Sequence, residues 1–154
     1  MPTLSIARRD VAAQPFVFVR SRVPAAGIPG AIGEGLGKAF GYLQKAGLAP
    51  AGPPVARYPE LGEMLTIESG VTVSAPAPGE GDVQAGTLAN GPVLVGLHAG
   101  AYDTLRETYA AMERWAAANG TAFAGAPWES YLTDPGNHPD PADWRTEVYW
   151  PLAR

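Results

Sequence analysis

Residues 42–58 and 115–131 repeat one another at a fixed offset of 73 residues, from Tyr42 to Trp115. Gly47 falls on Gly120, Gly52 on Gly125, Pro54 on Pro127 and Tyr58 on Tyr131, with no gap back to Gly27 and Gly100. A constant spacing across an aromatic, several glycines and a tyrosine marks a duplicated structural unit. Two copies are too few for a solenoid, so they are expected to form a pseudo-two-fold pair around one core, with a central cleft between the halves. In that cleft Glu129 of the second copy stands where the first has Ala56.

Periodicity fills in the units. Residues 16–22 (Phe-Val-Phe-Val-Arg-Ser-Arg) read as a strand from their β-branched and aromatic content. Ile32, Leu36, Phe40 and Leu43 recur at helical spacing over 29–46, and Gly47 stops that helix. Strands are expected at 53–58 and 63–74, followed by a Pro/Gly loop at 75–81. Further strand segments follow at 83–88 and 93–98, with the turn signal Asn90-Gly91 between them. A second helix covers about 101–119 with Leu105, Tyr109, Met112, Trp115 and Ala116 as its buried stripe, and Gly120 ends it. The last strands lie at 127–133 and 145–152, and residues 1–15 read as a lead-in or irregular edge. The order is strand, helix, strand, strand, twice over. This is an α+β domain, with two helices on a mainly antiparallel sheet. Residues 1–154 make one domain, module one at about 16–74 and module two at about 83–152.

The charge balance narrows the partners. The formal net charge is −4 and no Lys/Arg cluster is present, which argues against nucleic acid as a direct partner. With no cysteine, thiolate metal sites, disulfides and a cysteine nucleophile drop out. The two histidines, His98 and His138, lie far apart, so no zinc site is expected. Gly33-Glu-Gly-Leu-Gly37 lacks the Gly-Lys-Ser/Thr of a phosphate loop and is read as close helix–sheet packing. No metal or organic cofactor is implied. Without a signal peptide or a long apolar run, a cytoplasmic protein away from the membrane is expected. The oligomeric state stays open.

Strand alternation points to the candidate site. Thr146, Val148 and Trp150 share one face of the last strand and Glu147 and Tyr149 the other. The apolar set suits the helices, which leaves Glu147 and Tyr149 on the helix-free face. On the preceding strand Glu129 and Tyr131 lie opposite Trp128 and Ser130. If Glu129 and Glu147 face the same way, two carboxylates and two phenols converge, with Ala56 and Tyr58 as first-copy equivalents and Glu68 matching Tyr149. Trp128 and Trp150 read first as core, and Trp128 is also a candidate wall of the site. Glu129 alternatively reads as a solvated strand residue, and Glu147 as half of an ion pair with Arg145 or Arg57. An aromatic wall with an acid floor suits a flat hydrophobic ligand carrying positive charge.

The segments Trp128-Glu-Ser-Tyr-Leu-Thr-Asp-Pro135 and Thr146-Glu-Val-Tyr-Trp-Pro-Leu152 resemble the C-terminal signature of GyrI-like domains, also called AraC-type effector-binding domains. His98-Ala-Gly-Ala-Tyr102 and Gly52-Pro-Pro-Val-Ala-Arg-Tyr58 extend the resemblance over nearly the whole chain. It implies paired strand-helix-strand-strand modules that bind cationic or aromatic small molecules, with Glu129 at the centre of the site and Glu147 and Tyr149 beside it. The ligand-binding candidates are Tyr58, Trp128, Glu129, Tyr131, Glu147 and Tyr149. Without room for a helix-turn-helix domain, a stand-alone binder for sensing, sequestration or resistance is expected. The resemblance leaves two alternatives. One is metal-independent hydrolysis of cyclopropane-bearing genotoxins, with Glu129 as general base and Tyr131 or Tyr149 orienting the substrate or donating a proton. The other is inhibition of a protein such as DNA gyrase.

Overall fold

The computed structural model describes residues 2–154. It divides into two compact units, one of residues 12–90 and one joining the stretch that ends at Val11 to Gly91–Arg154. The first element, β1 (Thr3–Val11), is a regular strand rather than a lead-in. It pairs antiparallel with residues 91–98. An outer strand buries only one flank, so its sequence shows little alternation, and Arg8, Arg9 and Asp10 suit the charged character of sheet edges.

The 12–90 unit comprises β2 (Gln14–Pro24), α1 (Ile28–Ala46), β3 (Pro54–Glu60), β4 (Met64–Thr72) and β5 (Val83–Leu88). All its strand pairs are antiparallel, in the order β5-β2-β4-β3. Val17, Val19, Val71, Val73 and Val83 face Ala39 and Leu43 of α1. The helix starts with Pro29 in its first turn and stops at Gly47, whose φ of 72° is the left-handed value glycine tolerates. Its buried stripe is Ala31, Gly35, Ala39 and Leu43, one residue behind the expected Ile32, Leu36 and Phe40. The reason is packing distance. A Cβ at Gly35 would collide with the side chain of Ser69, whose hydroxyl donates to the Ala31 carbonyl at 3.4 Å. Small residues let α1 approach β4 more closely than large ones would. Of the glycines read as packing residues, only Gly35 has this role, since Gly33 and Gly37 face open space.

The other unit comprises β1, β6 (Gly91–Ala99), α2 (Leu105–Ala118), β7 (Trp128–Tyr131) and β8 (Arg145–Pro151). Its order is β1-β6-β8-β7, again antiparallel throughout. Leu94, Leu105, Met112, Val148 and Leu152 form its core, flanked by Ile6, Tyr109, Trp115, Phe123 and Trp150. The two units have the same connectivity: an outer strand, then the first, third and second strands of a strand-helix-strand-strand run. The outer strands are distributed otherwise than the sequence suggested. β5 pairs with β2, and β1 completes the unit of the second repeat. Asn90-Gly91 therefore joins two units and closes no hairpin. Among the described residues, no helix is long and apolar enough to cross a membrane.

The helices sit differently within their units. α1 packs chiefly against β4 and β2, whereas α2 packs chiefly against β6 and β1. In the second unit the helix is thus displaced toward the outer strand, with Leu105 and Met112 still clustering with Val148 of β8.

Candidate functional site

Residues paired across a sheet point the same way. Glu129 pairs with Val148 and Tyr131 with Thr146, so both lie on the helix side of the sheet. Trp128 pairs with Tyr149 and Ser130 with Glu147, on the opposite side. The alternation along β7 and β8 is as expected, and so is the helix-free position of Glu147 and Tyr149. The expected convergence of Glu129 with Glu147 does not occur, because the register places them on opposite faces. A one-residue change of register exchanges faces, and sequence carries no direct record of it.

Glu129 is 5% exposed. Tyr109 Oη donates to its Oε2 at 2.7 Å and Tyr131 Oη to its Oε1 at 2.7 Å. Both lengths are in the range of charge-assisted O–H···O⁻ bonds. Rings continue outward from these phenols. Tyr102 meets Tyr131 edge-on at 5.6 Å and lies 4.9 Å from Trp144. Tyr109 meets Trp150 edge-on at 5.6 Å, and Trp150 stacks on Phe123 at 3.7 Å. Burial raises the pKa of Tyr102 above the ordinary phenol value, and the charges of Asp134 and Glu129 push it the same way. Glu129 thus lies among aromatic side chains, of which Tyr109, Tyr131, Tyr102 and Trp150 belong to the unit of the second repeat. Tyr109 was read only as helix core. The available signal was that a phenol in a buried stripe needs a partner for its hydroxyl.

The opposite face carries a separate group. Trp128 and Tyr149 stack in near-parallel planes at 5.3 Å. Tyr149 Oη donates to Glu147 Oε1 at 2.9 Å, and Arg9 on β1 approaches Glu147 Oε2 at 3.8 Å. The ion pair of Glu147 is therefore with Arg9, not Arg145 or Arg57. Burial, then the hydrogen bond to Glu147, pushes the Tyr149 phenol up to about 12.

The first repeat shows why its copy is different. Ala56 is fully buried and pairs with Ser69, so it lies on the helix side, not on the helix-free face where it was expected. Tyr58, also buried, is on the same strand. Arg57 pairs with Glu68 as Ser130 pairs with Glu147, so Glu68 corresponds to Glu147 and not to Tyr149. Glu68 is 0% exposed and accepts Arg57 Nε at 2.6 Å and Arg20 Nη2 at 2.6 Å. Arg57 lies over the Phe16 ring at 4.9 Å. This carboxylate is clamped by two guanidinium groups, whereas Glu129 accepts hydrogen bonds from the phenols of Tyr109 and Tyr131.

His98 is a satisfied core histidine. Its Nδ1 lies 2.8 Å from Thr108 Oγ1, and its Nε2 lies 3.0 Å from the Ala101 carbonyl.

The pattern of the GyrI-like small molecule binding domain matches residues 6–153. The chain belongs to this family. Among solved structures, the EcmrR C-terminal domain superposes on it with a TM-score of 0.86 at 23% identity, over 100% of this chain and 99% of that one. A hydrolase from Listeria innocua gives 0.67 at 17% identity, over 99% and 94%. SAV2435, solved bound to tetraphenylphosphonium, gives 0.67 at 14% identity, over 97% and 94%. At these identities the likeness carries the fold. No curated protein sequence matches the chain. The GyrI-like architecture is α+β with antiparallel strands, in agreement with the strand, helix, strand, strand reading.

Proposed function

We propose that this GyrI-like domain binds a hydrophobic aromatic cation on the helix side of β7 and β8, with Glu129 as its charged centre. The observation that carries the reading is the pair of 2.7 Å phenol bonds that hold a 5%-exposed carboxylate among rings. The two phenols orient the carboxylate by hydrogen bonding and bring no charge of their own. Ring faces attract a cation through their quadrupole, and more strongly once water is removed. Tyr109 and Tyr131 thus supply both the hydrogen bonds and the aromatic surface. The tetraphenylphosphonium complex of SAV2435 supports the ligand class by analogy of fold. Trp128, Glu147 and Tyr149 are on the other face of the same sheet, so in this reading they support β8 and do not touch the cation.

The test is a calorimetric titration with tetraphenylphosphonium and with neutral triphenylphosphine oxide. Glu129→Gln keeps the shape and removes the charge. Its affinity for the cation is expected to fall about tenfold or more, the scale of a charged hydrogen-bonding partner. The neutral compound should be nearly unaffected. Equal loss for both would show that charge pairing is not the role, and equal affinity of wild type and variant would remove Glu129 from the site. A second reading, metal-independent hydrolysis of a strained electrophile, draws on the same geometry, since a carboxylate beside two phenols pairs a proton acceptor with proton donors. Mass spectrometry of wild-type mixtures with a cyclopropane-bearing electrophile separates the two: hydrolysis yields a product heavier by one water.

A further inference from the structure

On the helix side of the second unit, polar side chains form a row across all four strands: Thr3 pairs with His98, His98 with Thr146, and Thr146 with Tyr131. Three of the four have partners. Thr3 Oγ1 lies 2.8 Å from Thr108 Oγ1, which in turn lies 2.8 Å from His98 Nδ1. Tyr131 donates to Glu129. Thr146 is 0% exposed, and among the described residues its Oγ1 has no hydrogen-bond partner. Buried hydroxyls without a partner are rare, and each calls for a physical explanation. The neighbour on one side, Tyr131, carries one of the two phenols that hold Glu129. On the other side, His98 is tied to α2 through Thr108 and to the turn before it through Ala101. Because α2 packs chiefly on β6 and β1, Thr146 lies between the helix-covered part of the sheet and the aromatic nest.

We propose that Thr146 Oγ1 is the hydrogen-bonding floor of the ligand site, engaging a hydroxyl, ether or carbonyl oxygen on the aromatic molecule held at Glu129. This rests on the reading of Glu129 given above. It adds a selection rule: among aromatic cations of similar size, the domain favours those with a polar substituent that reaches β8. A hydroxyl serves as donor or acceptor, so the ligand's group can be of either kind. An apolar ring in that position leaves the hydroxyl buried and unpaired.

Two probes differing by one hydroxyl test it: tetraphenylphosphonium and (4-hydroxyphenyl)triphenylphosphonium. Thr146→Val keeps the shape of the side chain and removes its hydroxyl, and Thr146→Ser keeps the hydroxyl. The hydroxylated probe should bind Thr146→Val about tenfold more weakly than wild type. Thr146→Ser should restore most of that loss, and tetraphenylphosphonium should bind all three within about twofold. Unchanged binding of the hydroxylated probe to Thr146→Val would overturn the assignment, and equal loss of both probes would replace it with a packing role. Thr146→Val without ligand should melt no lower than wild type. A clear drop would mean that the hydroxyl has a structural partner, which also overturns the proposal. Failure of the site itself has a different signature: Glu129→Gln would leave both cations bound as tightly as wild type does, and the Thr146 assignment would fall with it.

Discussion

Burying a carboxylate is costly unless its oxygens are hydrogen-bonded. The two half-repeats meet that cost differently. Glu68 is paired with Arg20 and Arg57, a part-buried ion cluster that ties together β2, β3 and β4. Glu129 is held by the hydroxyls of Tyr109 and Tyr131. A phenol can yield its bond or share the oxygen with an incoming cation more readily than a guanidinium fork can, because the fork carries charge and two aligned donors. Glu147 is intermediate, with one phenol and a loose arginine. Its partner Tyr149 gives a pH prediction. The phenol ionises near its ordinary 10.0 in the unfolded chain and near about 12 in the folded one. Between these values the unfolded chain has lost a proton that the folded chain keeps. The contribution of Tyr149 to stability is therefore complete below pH 10 and is lost as pH rises toward 12. Subtracting the tyrosinate absorbance titration of Tyr149→Phe from that of wild type should leave a transition near pH 12, and chemical denaturation should show a shallower alkaline decline in the variant. A difference transition centred at pH 10 would contradict the burial of this phenol against Glu147.

Most elements were legible because each has a local cause: the β-branched run in β2, the glycine stops after α1 and α2, the alternation in β8. What was not legible depends on partners remote in sequence. β1 has no strong pattern of its own and becomes a strand because β6 offers it an edge. The buried stripe of α1 is a second case. Ile32, Leu36 and Phe40 are the larger apolar residues, yet Ala31, Gly35 and Ala39 are buried because close approach to Ser69 selects small side chains. Gly35→Ala is therefore expected to destabilise the protein despite the higher helix propensity of alanine. Gly33→Ala, where an added Cβ meets open space, should stabilise it by up to about 1 kcal/mol. Urea denaturation of the two variants checks this, and equal shifts of the same sign would rule out the packing role of Gly35. The candidate site was legible in composition but not in arrangement. Glu129, Tyr131, Glu147, Tyr149 and Trp128 all belong to β7 and β8, but the register of that pair sorts them onto two faces.

The same strand order serves both units, and the proposed site lies where they depart from each other. In the 12–90 unit a helix with a small-residue stripe closes over β4 and β2, with Ala56 beneath its side of the sheet. In the other unit the helix lies toward β1, Glu129, Tyr131 and Trp150 occupy the helix side of β7 and β8, and Tyr109 of α2 donates to Glu129. In the reading proposed above, one repeat serves as scaffold and the other as binding surface, in keeping with an acid at this position in one copy only. The central claim is that the ligand is on the helix side at Glu129. The most direct measurement is a crystal structure of the protein with tetraphenylphosphonium. The account predicts the phosphonium beside the Glu129 carboxylate, within about 6 Å of the ring centroids of Tyr109 and Tyr131. A cation held instead against Trp128, Tyr149 and Glu147, on the other face of the same strands, would contradict it.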